Sequence, residues 1–67
     1  MKAKVKWWNE SKGYGFLESP DQPTDIFVHY TSINGDGFKT LEEGESVECD
    51  ILDHPKGPIA GNVTRLK

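Results

Sequence analysis

A chain of 67 residues with one cysteine and a net charge of −3 has room for one small core and no internal disulfide to staple it. No apolar run is long enough for a signal peptide or a membrane span, and a lone cysteine suits a reducing compartment. A single soluble domain in the cytoplasm, with no membrane partner, is expected.

The charge is unevenly spread. Residues 1–16 carry Lys2, Lys4, Lys6 and Lys12 against Glu10 alone, whereas residues 42–53 carry six carboxylates and no lysine or arginine. A nucleic-acid partner is therefore compatible with the negative total, provided that it meets the basic part.

The elements follow in chain order. No stretch places apolar residues at i, i+3, i+4 and i+7 over three turns, so no substantial helix is predicted. Short runs rich in valine, isoleucine and aromatics, separated by Gly, Pro, Asn and Asp, predict an all-β domain. The strands fall at residues 2–9, 13–19, 25–30, 46–52 and 59–66. Asn9-Glu10-Ser11-Lys12-Gly13 makes a short hairpin link. Pro20 and Pro23 lie in a longer one, where neither can donate to a ladder. Thr31-Ser32-Ile33 suits one helical turn, Asn34-Gly35-Asp36-Gly37 a turn, and Thr40 with Glu43 a capped turn. Five short strands in so small a chain avoid open edges by closing. A five-stranded antiparallel Greek-key barrel of the oligonucleotide/oligosaccharide-binding (OB) type fits, and a Src-homology-3-like barrel is the alternative.

Alternation then assigns faces. In the third strand Ile26 and Val28 go inside, leaving Phe27 and His29 outside. In the second, Leu17 shares its inner face with Gly13 and Gly15, leaving Tyr14 and Phe16 outside. In the fourth, Val47, Cys49 and Ile51 go inside and Glu48 and Asp50 outside. Pairing the second and third strands joins Tyr14, Phe16, Phe27 and His29 into one exposed patch, which on a monomer predicts a binding surface. Counting from Val5 in the first strand puts Trp7 inside and Trp8 outside.

Exposed rings among lysines suit single-stranded nucleic acid, because every base has a π-face to stack. Lys6, Lys12, Lys39 and Lys56 are placed to follow the phosphates. Four such contacts predict a log–log salt slope of about −3. Duplexes, whose bases are already stacked, bind poorly. The acidic fourth strand repels phosphates and confines the ligand to one face. A proline-rich peptide is the competing partner for such rings. Catalysis is not expected: His29, His54 and Cys49 offer no base–nucleophile or metal-ligand spacing, and no phosphate-binding loop is present. Neither a cofactor nor a small-molecule substrate is expected.

Lys12-Gly13-Tyr14-Gly15-Phe16-Leu17 resembles the first ribonucleoprotein motif, and Ile26-Phe27-Val28-His29-Tyr30 the second. With KVKWWN, GFKTLEEG and KGPIAGNV in order, the chain resembles the bacterial cold-shock proteins over essentially its whole length. The resemblance implies a five-stranded barrel that binds single-stranded RNA and DNA, prefers pyrimidine-rich stretches and acts as an RNA chaperone. It also implies links to transcription antitermination and cold adaptation. By position it implies ligand contacts from Lys6, Trp7, Asn9, Lys12, Tyr14, Phe16, Asp25, Phe27, His29, Tyr30 and Phe38, with Lys39, Lys56, Gly57 and Pro58 on the rim. A monomer is expected, and a dimer is left open.

The resemblance also reverses the tryptophans, with Trp7 on the ligand face and Trp8 toward the core, which needs a bulge or strong coiling in the first strand. This chain departs from the family at Trp8, Tyr14 and Tyr30, where phenylalanine is common, and at Gly61, where alanine is usual.

Overall fold

The computed structural model describes residues 1–35 and 39–66. Five strands, β1 (Lys2–Asn9), β2 (Tyr14–Glu18), β3 (Ile26–His29), β4 (Ser46–Leu52) and β5 (Ile59–Arg65), close into a barrel in the order β1-β2-β3-β5-β4. The first and fourth strands keep their predicted bounds, and the others are shorter by one or two residues. The expected antiparallel pairing holds at four seams among the described residues, whereas the closing seam, β3 to β5, is parallel. It rests on the register Phe27↔Ile59, with the Phe27 amide donating to the Pro58 carbonyl at 3.1 Å. Beyond β3 the same parallel contact continues at Ile33↔Val63, where the Asn34 amide donates to the Val63 carbonyl at 2.7 Å.

The core collects the inward residues of all five strands: Ala3, Val5, Leu17, Ile26, Val28, Val47, Cys49, Ala60 and Val63. Two more members, Ile33 and Leu41, come from the long connection between β3 and β4. That connection thus caps the barrel with aliphatic side chains. Ile51 is only half-buried and packs against the cluster from its edge.

Local chemistry explains the links. The β1–β2 turn closes on Asn9, whose carbonyl accepts from the Gly13 amide at 2.8 Å and whose side-chain Oδ1 accepts from the Lys12 amide at 2.9 Å. Gly13 has φ +73°, a conformation that favours glycine. The predicted helical turn lies one residue earlier than expected, a 3-10 turn over Tyr30–Ser32, because the Ile33 amide reaches back to the Tyr30 carbonyl at 3.1 Å. The predicted cap by Thr40 does not form. Its hydroxyl instead donates to Glu10 Oε1 at 3.1 Å, and the next turn is closed by Glu45, whose Oε1 accepts from the Glu42 amide at 3.0 Å. The turn expected at residues 34–37 lies partly outside the described residues.

Two irregularities adjust the strands. In the β1–β2 ladder Val5 faces Leu17 and Trp7 faces Phe16, so Lys6 is an extra residue. In the β4–β5 ladder Glu48 faces Thr64 and Asp50 faces Gly61, so β5 carries the extra residue there. Asn62 sits in that second bulge with φ +48° and donates from Nδ2 to Asp50 Oδ2 at 2.9 Å. Asparagine is among the few side chains that enter this region readily.

Candidate nucleic-acid interface

The Lys6 bulge settles the two tryptophans. Before it, β1 alternates cleanly, with Ala3 and Val5 buried and Lys2 and Lys4 exposed. At the bulge Lys6 and Trp7 are both exposed, and the phase reverses beyond them. Trp7 is 39% exposed, and Trp8 packs against the core. Counting alternation from Val5 is therefore wrong from Trp7 onward. One inserted residue moves every later side chain to the opposite face.

Register then stacks the rings in rows. Trp7, Phe16 and Phe27 lie abreast across β1, β2 and β3, and Asn9, Tyr14 and His29 form the next outward row. Between them runs the inward row of Trp8, Gly15 and Val28. Ring centroids are 6.1 Å apart for Trp7 and Phe16 and 5.9 Å for Phe16 and Phe27. Tyr14 joins both ends, 5.5 Å from Trp7 and 5.7 Å from Phe27. Such distances are those of favourable aromatic pairs, so the rings hold one another in place without a ligand. Tyr14, Phe16, Phe27 and His29 are half-buried at their bases and open at the outer surface.

Gly15 makes this possible. A Cβ there would lie 2.1 Å from the Trp7 carbonyl oxygen and 2.9 Å from the Trp8 Cα. Only a bare backbone lets β2 approach the bulged strand so closely. Trp8 fills the core edge beside it, and its Nε1 is buried with no hydrogen-bond partner. The indole N–H, which phenylalanine lacks, is thus the unsatisfied part of this substitution.

Tyr30, 45% exposed, leaves β3 and packs against the His29 ring at a 39° tilt, with centroids 4.7 Å apart. Its amide donates to the Gly13 carbonyl at 2.8 Å, which ties it to the β1–β2 turn. The His29 ring is held through Nδ1, 2.9 Å from Thr31 Oγ1.

The charged candidates behave differently from one another. Lys6 does not stand free: its Nζ donates to both oxygens of Asp25, at 3.2 and 3.1 Å. Asn9 spends its side-chain oxygen on the β1–β2 turn. Lys12, Lys39 and Lys56 are exposed and pair with no carboxylate among the described residues. Phe38 lies outside the described residues. The acidic strand β4 pairs with β1 and β5, so its outward face lies round the barrel from the rings of β2 and β3. There Glu48 pairs with the Met1 ammonium, and Arg65 pairs with Glu45 just before the strand.

A groove of about 460 Å³ continues from the rings. Phe16, Phe27, Pro58 and Ile59 give it apolar walls, and Asp25, His54 and Lys56 stand at its rim. Gly57 and Pro58 line the groove beside Phe16 and Phe27. His54, which its spacing to His29 and Cys49 leaves without a catalytic or metal-ligand partner, lines the same groove, because closure of the barrel brings the β4–β5 connection next to β3. Among the described residues no group of three or more His, Cys, Asp or Glu is arranged to hold a metal ion, and no described helix is long and apolar enough to cross a membrane.

The profile of the 'cold-shock' DNA-binding domain matches residues 1–66. The chain belongs to this family. Among cold-shock relatives, it is 54% identical over 66 residues to the cold shock-like protein CspC of Escherichia coli K12, covering 98% of this chain and 96% of that one. It is 56% identical, over the same shares, to the CspC of Buchnera aphidicola from Acyrthosiphon pisum. The barrel is similar to the structure of drosophila Unr CSD456, with a TM-score of 0.79 over 98% of this chain. That likeness covers 26% of the other chain at 18% identity, and so speaks to the cold-shock fold alone.

Proposed function

We propose that this cold-shock domain binds single-stranded RNA and DNA by stacking unpaired bases on Trp7, Tyr14, Phe16, Phe27, His29 and Tyr30. The observation that carries the reading is the row of Trp7, Phe16 and Phe27 across three adjacent strands. A flexible single strand can lay successive bases along such a row, and each base–ring contact is worth about 1–3 kcal/mol. Lys12, Lys39 and Lys56 attract the backbone. Lys6 joins them when Asp25 engages a base edge. Phe38 belongs to the same contact set by its family position.

Stacking of this kind uses no nucleotide hydrolysis. Trapping open strands shifts the pairing equilibrium by mass action, so the protein acts as a passive RNA chaperone. Antitermination and support of translation in the cold follow when the melted element is a terminator or a closed leader. Compact pyrimidines pack more readily between closely spaced rings, which supports a preference for pyrimidine-rich strands. The surface lies within one chain, so a monomer suffices.

Trp7 provides the test. The tryptophan fluorescence, to which exposed Trp7 and core-packed Trp8 both contribute, is expected to be quenched by oligothymidine, less by oligoadenosine, and little by a duplex of the same length. A proline-rich peptide that quenches it while oligothymidine does not would instead establish a peptide-binding barrel.

A further inference from the structure

Phe16 and Phe27 each have a side in the stacking row and a side in the groove that runs under the β4–β5 connection. The groove is therefore continuous with the proposed interface. Its walls are apolar, as a nucleobase requires, and it is lined by Lys56, whose ammonium pairs with no carboxylate among the described residues. The one rim carboxylate within the groove, Asp25, is already paired with Lys6 at 3.1 Å. His54 lines the same groove. Its Nδ1 accepts the Lys56 amide at 3.2 Å. A backbone amide can only donate, so this bond leaves the ring proton on Nε2. The same bond orients the ring and shapes the loop that presents Lys56.

We propose that His54 is a ligand-contacting residue of this domain. A base of the single strand enters the groove on Phe27 and Pro58, and His54 Nε2 donates to the phosphate beyond it, alongside Lys56. The track so extends past the aromatic row by at least one nucleotide. This inference rests on the single-strand reading above and names an added contact at its end.

Two roles of His54 must be separated, contact with the strand and shaping of the loop. His54→Asn keeps an oxygen near the position of Nδ1 to accept the Lys56 amide, and removes the ring and Nε2. His54→Gln retains a donor near Nε2. Oligothymidines of increasing length are titrated against wild type and the Asn, Gln and Ala variants. Circular dichroism melts confirm that each is folded.

For strands long enough to enter the groove, the Asn and Ala variants are expected to bind about two- to tenfold more weakly, the value of one hydrogen bond. The Gln variant is expected to recover part of the loss. Strands confined to the aromatic row are expected to bind all four proteins alike. On the wild-type protein, the His54 ring resonances are expected to shift with the longer strand only. An Asn variant as tight as wild type on the long strand overturns the proposal, as does an unmoved His54 resonance at saturation. Phe27→Ala in the same series reads the underlying function: if it too leaves binding intact, the stacking model has failed, not merely the His54 contact.

Discussion

Lys6 and Asp25, two residues the cold-shock resemblance assigns to the ligand, hold each other in the free protein, with Nζ 3.1 Å from Oδ2. Lys6 reaches across because it is the bulged residue of β1, while Asp25 immediately precedes β3. The pair is exposed, so it adds little to stability. Its effect falls on binding, since each partner must leave the other to meet a nucleotide.

Asp25→Asn is therefore expected to free Lys6 for a phosphate. The salt slope for oligothymidine should steepen by about 0.7, one added phosphate contact. Binding at low salt should tighten, while base preference falls if Asp25 also reads a base edge. Titrations at several salt concentrations measure this, and an unchanged slope refutes it.

Phe16→Ala and Phe27→Ala are each expected to weaken oligothymidine binding by about 1–3 kcal/mol. Their rings are 5.9 Å apart, so the double variant should lose less than the two single losses together. Tryptophan fluorescence titration follows all three. Additive losses would mean that the rings act on separate bases without supporting each other.

Gly15→Ala should destabilise the fold by about 3 kcal/mol, the upper end of overpacking costs, because the new methyl meets the Trp7 carbonyl oxygen and Trp8 Cα. Neither is the movable end of a side chain. Urea unfolding gives the figure, and a stable variant would show that the β1 bulge can open.

Gly61→Ala acts in the opposite direction. A Cβ at Gly61 would meet Leu52 Cδ1 at 3.2 Å, but Leu52 is 54% exposed and has room to turn away. Restricting the unfolded chain should then raise stability by about 0.4–1 kcal/mol. Thermal melting is expected to shift up by about 2–8 °C. A fall would mean that Leu52 cannot yield.

Burial raises the Cys49 thiol above its ordinary 9.0, with Glu48 and Asp50 adding to the rise and the Met1 ammonium opposing it. The folded state thus holds its thiol proton more tightly than the unfolded chain. This contribution to stability is complete below about pH 9 and is lost as pH rises through the folded value. Cys49→Ala should remove that part of the alkaline loss, at the cost of a small cavity. In the native protein, a thiol reagent at neutral pH should modify Cys49 only as fast as the chain opens. Rapid labelling without denaturant would contradict its burial.

Much of this cold-shock barrel is local in origin. Alternation within β2, β3 and β4 follows from two-residue periodicity, which any reader of Leu17, Ile26, Val28, Val47 and Cys49 can apply. The outward placing of Tyr14, Phe16, Phe27 and His29 is the complement of that core. The turn at Asn9 and Gly13 is equally local, since its bonds join residues within four positions of each other.

What depended on the tertiary structure is whatever joins distant segments. The Lys6 bulge arises where β1 must meet β2 across Gly15, and nothing in KVKWW alone marks which residue is extra. The parallel seam between β3 and β5 brings Pro58 to Phe27, and His54 with it to the groove. The Lys6–Asp25 pair also forms only once β1 and the start of β3 flank β2. Periodicity assigns each strand its two faces, but only closure of the barrel decides which loops and charges the faces meet.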